Sequence, residues 1–410
     1  MIAFGGLLLL GGKLSDIFGP KRIFLAGFWV LTLASLFAGL AWNDVSLNAA
    51  RAIQGIGAAL IAPSALSLLM ILFGGTKDLG KAMGFWGASA AAGGSAGVFL
   101  GGLLTDFLGW EWTFFINIPI GLIVILAGKN LLPKGQRQNG KIDYLGGLLI
   151  TAAISVLVFA LVQTNEASTM LFGNLQWYGL FVLLFIAFLI RQRMAKDVLI
   201  PFSVFKAPNL SQGNLVMDLL AASWIPLWFF FNLFLQEILH FTAFESGLAL
   251  LPMTLVIMLL MVGFSEKIIQ AWGMKKPLVL GMILLGVSLF WFAALPANAS
   301  YFGQVIWPSL LAATGMSLAY VPATITSISG AKPEEAGVAS GLVNSTYQIG
   351  SAIGLALAVA ISGKMMAEMP EGTDKILTAH AGFSSAFVMA AWLAVAGALI
   401  AILTIRFGKK

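Results

Sequence analysis

No cysteine occurs among the 410 residues, which excludes a disulfide framework, thiolate chemistry and cysteine-held metals. Histidine is nearly as scarce. His240 and His380 lie far apart in sequence and near the ends of apolar runs, which argues against haem or metal held by paired histidines. Charge is scarce too: Asp, Glu, Lys and Arg make up 10% of the chain against 59% hydrophobic residues, where a soluble domain carries about 25% charged residues. So few polar residues cannot cover a water-facing surface, and the composition specifies an all-α polytopic membrane protein. No G-x-x-x-x-G-K-[ST] loop is present, so nothing points to ATP-driven work, and no cofactor is expected. A net charge of +6 would suggest nucleic acid as partner of a soluble chain. Here it reads as cationic loops facing the cytoplasm, with no nucleic-acid partner.

What is abundant is apolar sequence in bilayer-length runs: 23–42, 47–73, 82–108, 113–132, 144–163, 175–190, 210–236, 246–264, 277–295, 301–323, 336–362 and 382–406. A run at 1–12 precedes them. It is too short to span, because eleven helical residues reach only about 17 Å, and it has neither the basic start nor the cleavage site of a signal peptide. Twelve spans and half of a thirteenth are therefore expected. Placing the polar corner at 11–22 in the cytoplasm puts 20 of the 23 Lys and Arg on that side. Lys364 and Lys375 fall on the other side, with Arg51 inside a helix. This asymmetry orients the chain by the positive-inside rule, with a cytoplasmic C-terminus. The longest loop, 363–381, is too small for a soluble domain, so any aqueous site must be built from the helices. That favours transport over enzyme chemistry.

Several polar features interrupt the runs. The corner GGKLSDIFGPKR fits G-x-L-x-D-x-x-G-x-K-R through Gly12, Leu14, Asp16, Gly19, Lys21 and Arg22. Its glycines allow a tight turn and close helix approach, and Pro20 stops a helix from continuing. Asp16 can pair with a cation or accept from the N-terminal amides of a neighbouring helix. A weaker echo, with Gly263, Glu266, Gly273, Lys275 and Lys276, follows about 250 residues later, as expected of two repeated halves. In LNAARAIQGIGAA, Arg51 sits roughly 6–8 Å inside its helix. That position is costly unless the arginine faces a cavity or partner, or snorkels outward. Gly93, Gly97 and Gly101, with Gly102 beside them, recur four apart on one helical face, the spacing of tight helix packing.

Asp218 is the most unusual acid. With a helix starting near Leu210 it lies roughly 12 Å deep, with Asn214 one turn before it on the same face. A carboxyl group there is a candidate for taking up and releasing a proton, or a structural acid bonded to a neighbouring helix. Ser340, Asn344 and Gln348 recur every four residues beside Gly337 and Gly341, a stripe that either lines a cavity or glues helices together. The aromatics of WIPLWFFFNLF, Trp224 and Phe230 among them, suit a pocket for flat lipophilic compounds or a lipid-facing surface.

The corner motif resembles the signature of the major facilitator superfamily. LNAARAIQGIG resembles that family's fourth-helix motif L-x-x-x-R-x-x-x-G, and GGSAGVFLGG its antiporter motif, with Val98 where proline is usual. DFLGWEWTFFINIPIG, LIPFSVF (199–205), FESGLALLP (244–252) and EEAGVASGLVNSTYQIGSAIG (334–354) are similar to the fourteen-helix drug/proton antiporters. Glu111 stands in place of that branch's arginine. The resemblance implies two six-helix bundles plus two extra central helices, divided as 1–132, 133–206 and 207–410. It also implies that the first helix and half of the second are missing, in keeping with the count of spans. It further implies a proton-coupling role for Arg51, a conformational-switch role for the corner, and proton-driven export of hydrophobic or cationic drugs by alternating access. The implied partners are small lipophilic substrates, protons and the lipid of a bacterial inner membrane, with the chain a monomer. Three alternatives stay open: a carrier of one metabolite or siderophore, a membrane enzyme or lipid-handling protein, and an inactive fragment.

Overall fold

A computed structural model describes residues 2–133, 143–163, 175–195, 202–331, 335–370 and 372–405. The loop cations at 134, 137, 141, 196, 332, 406, 409 and 410, the acids Glu166, Glu334 and Glu371, and residues 199–201 lie outside the described residues. Among the described residues every regular element is helical. The first group is α1 (Ile2–Phe18), α2 (Pro20–Gly39), α3 (Asp44–Phe73), α4 (Leu79–Leu108), α5 (Trp112–Phe115) and α6 (Asn117–Leu131). A hairpin of α7 (Tyr144–Gln163) and α8 (Leu175–Met194) follows. The second group is α9 (Leu210–Leu233), α10 (Ala243–Gly263), α11 (Ser265–Trp272), α12 (Lys275–Ala293), α13 (Ile306–Ile328), α14 (Ala336–Ala367) and α15 (Lys375–Thr404). Among the described residues ten helical segments are long and apolar enough to cross a membrane.

The first helix corrects the expected boundary at residue 12. Nothing in Lys13-Leu14-Ser15-Asp16-Ile17-Phe18 stops a helix, so α1 runs on through the charges for 17 residues, about 25 Å. The break comes at Gly19, whose φ of 92° suits glycine, and Pro20 starts α2. The polar stretch expected as a loop at 363–381 is likewise largely helical. Helix α14 continues to Ala367, and α15 starts at Lys375, where Asp374 caps it by accepting from the Ile376 amide at 2.7 Å. The echo stretch folds as the amphipathic helix α11 and turns at Gly273, φ 71°.

The two related stretches do the same job in each half. Two residues after Gly19, the Lys21 ammonium donates to the carbonyls of Lys129 and Leu132, both at 2.8 Å, closing the C-terminus of α6. Two residues after Gly273, Lys275 donates to Ile402 and Ile405 at 2.7 and 2.8 Å, closing α15. In each case a cation satisfies orphan carbonyls at the negative end of a helix. The echo therefore reflects a repeated architecture.

In the second group, helices α9, α10, α12, α13, α14 and α15 share one large apolar core, which also takes in Leu66 of α3 and Met83 and Ala88 of α4. The α7–α8 hairpin stands apart, with its own cluster. Ile150 and Ile154 of α7 and Phe188 of α8 pack against Leu9 of α1 and Val338 of α14. Its ends are tied by Asp143, which accepts from the Gly146 amide and from Arg191 Nε, both at 3.0 Å. The second carboxylate oxygen of Asp143 is buried, with no partner among the described residues. Removing the cation therefore strands a buried charge, whereas Asp143→Asn keeps an acceptor for the Gly146 amide and leaves Arg191, 40% exposed, within reach of water. We expect Arg191→Met to cost about 1–3 kcal/mol, and Asp143→Asn less. Thermal unfolding of the two variants in detergent checks the order, and the reverse order would refute this account of the tie.

Candidate functional site: the cleft between the helix groups

Two seams join the groups at the end where α1 turns into α2. In the first, α1 lies against α14 so closely that neither Gly12 nor Gly337 has room for a Cβ. Asp16 completes this seam by accepting from the amides of Gly337 at 2.6 Å and Val338 at 2.9 Å. These are second- and third-residue amides of α14, with no partner inside their own helix, so a carboxylate from another helix caps them. Of the two roles expected for Asp16, the structure selects this one. In the second seam, Gly84 of α4 abuts the Met261 carbonyl of α10, and Gly87 fits against the Met261 sulfur and the Tyr320 ring. The Trp86 indole also bonds the Tyr320 hydroxyl, linking α4 to α13.

Beyond Gly87 the helices part. Among the described residues no atom lies within 4 Å of a Cβ built on Gly93, Gly97, Gly101 or Gly102. In this conformation the close approach along α4 is made by Gly84 and Gly87, on the N-terminal side of that face. Spacing specifies a smooth face but not whether another helix occupies it.

Next to the second seam lies a cavity of about 310 Å³. Gly87, Ala90 and Gly94 supply its α4 wall. Opposite stand Trp224 and Trp228 of α9, whose rings meet edge-on at 6.4 Å, and Tyr320 and Tyr347, edge-on at 6.1 Å. Met261 and Met316 add soft apolar surface.

Of the expected pathway residues, Trp224 lines this cavity. Phe230 does not. At 2% exposure it is wedged against Phe383 and Phe387 of α15, inside the core. Asn214 is also structural: its amide donates to the carbonyls of Leu210 and Ser327, both at 2.9 Å, pinning α9 to the end of α13. Ser340 is fully buried with an unpartnered hydroxyl, and Asn344 donates to the Ser340 carbonyl at 2.7 Å. Gln348 is half-buried and, like Asn344, does not border the cavity. Its neighbour Tyr347 does, one residue and about 100° around the helix.

Arg51 is exposed, with its guanidinium 5.9 Å from the centre of the Phe114 ring of α5, a cation–π arrangement. Asp218 is half-buried in α9, with no hydrogen-bond donor or cation against its carboxyl group among the described residues. Gly350 of α14 presses on its backbone. No ion pair brings Arg51 and Asp218 together. Asp218 lies two turns from the cavity-lining Ile225 on the same helical face.

Trp228 belongs to the aromatic stretch read as a pocket, whereas Tyr320 and Tyr347 escaped a reading that looked for polar stripes outside that stretch. A signal was available for one of them: of the chain's five tyrosines, Tyr347 alone lies deep inside an apolar run, 336–362.

Comparison with known proteins agrees with this architecture. The family profile described as Major Facilitator Superfamily matches residues 1–355. The chain is 36% identical over 410 aligned residues to the cephamycin export protein CmcT of Amycolatopsis lactamdurans, covering 96% of this chain and 81% of that protein. It is 34% identical over 372 residues to the tetracenomycin C resistance and export protein of Streptomyces glaucescens, covering 90% and 67%. Among solved structures, the human organic anion transporter MFSD10 shares the fold with a TM-score of 0.69 at 14% identity, covering 98% of this chain and 81% of that one. On the match of the family profile to most of its length and on these relatives, the chain belongs to the major facilitator superfamily of membrane transporters.

Proposed function

We propose that this protein exports small lipophilic compounds, antibiotics among them, in exchange for protons by alternating access. The observation that carries the reading is the aromatic cavity between the two helix groups, closed by seams at one end only. The relatives named above export antibiotics, which favours drug export over uptake of a nutrient. The seam end carries Lys21, Arg22, Lys77, Lys81, Lys275 and Lys276, so on the positive-inside rule it faces the cytoplasm, along with the C-terminus. In this orientation the conformation is open outward. The Gly93–Gly102 face would then meet a partner helix in the inward-open state. The α7–α8 hairpin between the two groups fits the fourteen-helix antiporter branch, with segments 1–132, 133–206 and 207–410 as its three parts. The bacterial relatives favour the inner membrane, and a single chain contains both halves of the cleft, so a monomer suffices.

Asp218 is our candidate for the proton site: an acid inside the membrane is costly, and this one has found no partner among the described residues. Arg51, stacked on Phe114, would adjust the outer end of α3 as the groups rock. The test is transport into or out of liposomes holding the purified chain. Movement of a fluorescent lipophilic dye should follow an imposed proton gradient and cease when a protonophore collapses it. Dye movement indifferent to the protonophore would remove the antiport.

A further inference from the structure

The cavity lining has a chemical bias that narrows the substrate class, an inference that rests on the export reading above. No Asp, Glu, Lys, Arg or His borders it among the described residues, so it offers neither a counter-ion for an ammonium nor one for a carboxylate. Among the described residues its α4 wall projects nothing larger than the methyl of Ala90, and four aromatic rings line it beside Ile225, Ile257, Met261 and Met316, an arrangement we read as a slot. A flat body fits such a slot, and about 310 Å³ is at the small end of the roughly 300–1,000 Å³ typical of ligand pockets.

Four polar side-chain groups remain in this apolar surround. The Tyr320 hydroxyl is already met by the Trp86 indole. The Tyr347 ring stands edge-on to that of Tyr320 and within its electrostatic reach, and among the described residues no hydrogen bond engages its hydroxyl or the indole N–H groups of Trp224 and Trp228. An indole only donates, and a tyrosine hydroxyl without a partner can donate as well. The slot therefore presents unsatisfied donors and no unsatisfied obligate acceptor. Leaving such groups unpaired beside a bound ligand is costly, and pairing them recovers that cost.

We infer that the cleft selects uncharged, planar, fused-ring compounds bearing carbonyl-type acceptor oxygens, and that Tyr347 is the residue that distinguishes them from ring systems lacking those oxygens. The indoles of Trp224 and Trp228 offer further donors along the same wall. Tyr320 serves mainly as a spacer, since its hydroxyl is occupied.

The test is equilibrium binding to the purified full chain in lipid nanodiscs, with three probes of similar outline: 9,10-anthraquinone, anthracene and a cationic acridine. Wild type should bind the quinone roughly tenfold more tightly than either of the others. Tyr347→Phe should weaken quinone binding roughly five- to tenfold, about one hydrogen bond, and leave anthracene unchanged. The anthracene arm also shows that the variant's cleft is intact. Tyr320→Phe should have a smaller effect on the quinone. Equal affinity of Tyr347→Phe and wild type for the quinone, or preference for the cationic acridine, overturns the inference. Such a result with gradient-driven dye transport intact leaves the export reading standing. Quinone selectivity without any transport would sink the export reading alone.

Discussion

Asp218→Asn is expected to uncouple the transporter. The substitution keeps the outline of the side chain and removes its ability to carry a proton. The carboxyl group sits eight residues into α9 and has no partner among the described residues, so no hydrogen-bond network should collapse with it. Its backbone is held against Gly350, and the next turn, at Ala222, against Gly354. A change of protonation at this point therefore acts on the α9–α14 contact, and α14 is also the helix whose amides Asp16 caps. Protonation can drive the cycle only by favouring one of the two seam states over the other. A coupling free energy of about 1–3 kcal/mol corresponds to a change of about 5–150-fold, and the gradient-stimulated part of transport should fall by a factor in that range. Passive exchange of substrate down its own gradient should persist, because Asp218 does not border the cavity. Initial rates in liposomes with and without a proton gradient, at matched substrate gradients, measure both. Undiminished stimulation by the gradient would show that the proton binds elsewhere.

The parts of the fold legible in the sequence were those set by solvent. Scarce charge and long apolar runs fixed the helical, membrane-spanning class, and the corner motif led to the seam, where Asp16 took one of its two expected roles. Boundaries were less legible. The helix formers between Lys13 and Phe18, and again beyond Ser362, carry helices through stretches whose polarity suggested loops. The site was legible only in part, because periodicity tells which residues share a face and not what the face meets. That is why Phe230, read as pocket, is core, and why Gly93 to Gly102, read as packing, border open space in this conformation. Asn214 and Asn344 were chosen for their polarity, and it is spent on backbone carbonyls of α13 and α14. The cavity uses Trp224, Trp228, Tyr320 and Tyr347, whose apolar bodies merge with lipid-facing aromatics in a one-dimensional reading.

The second large effect belongs to the α1–α14 seam. Closing it requires two conditions together: a carboxylate at Asp16 for the amides of Gly337 and Val338, and bare backbone at Gly12 and Gly337. Asp16→Asn removes the charge and turns an NH2 group toward one of two N–H donors. Hydrogen bonds to a charged group contribute about 1.5–3 kcal/mol, so the ratio of seam-closed to seam-open molecules should fall about 10–150-fold. Gly337→Ala tests the steric half. Within a helix, alanine is favoured over glycine by up to about 1 kcal/mol, so the change should if anything stabilise α14 by itself. Its added methyl, however, would overlap the Asp16 carboxylate and the Gly12 carbonyl. Loss of closure in this variant can therefore come only from the seam. Because the chain has no cysteine, a pair introduced by Phe18→Cys at the exposed end of α1 and Glu335→Cys just before α14, one on each side of the seam beside Asp16, carries spin labels at those two sites alone. Distances between the labels should be short in the parent, and longer distances should gain weight in both variants. If both variants keep the parent's distance distribution, the seam does not govern which end of the cleft is open, and the outward-open assignment loses its physical cause.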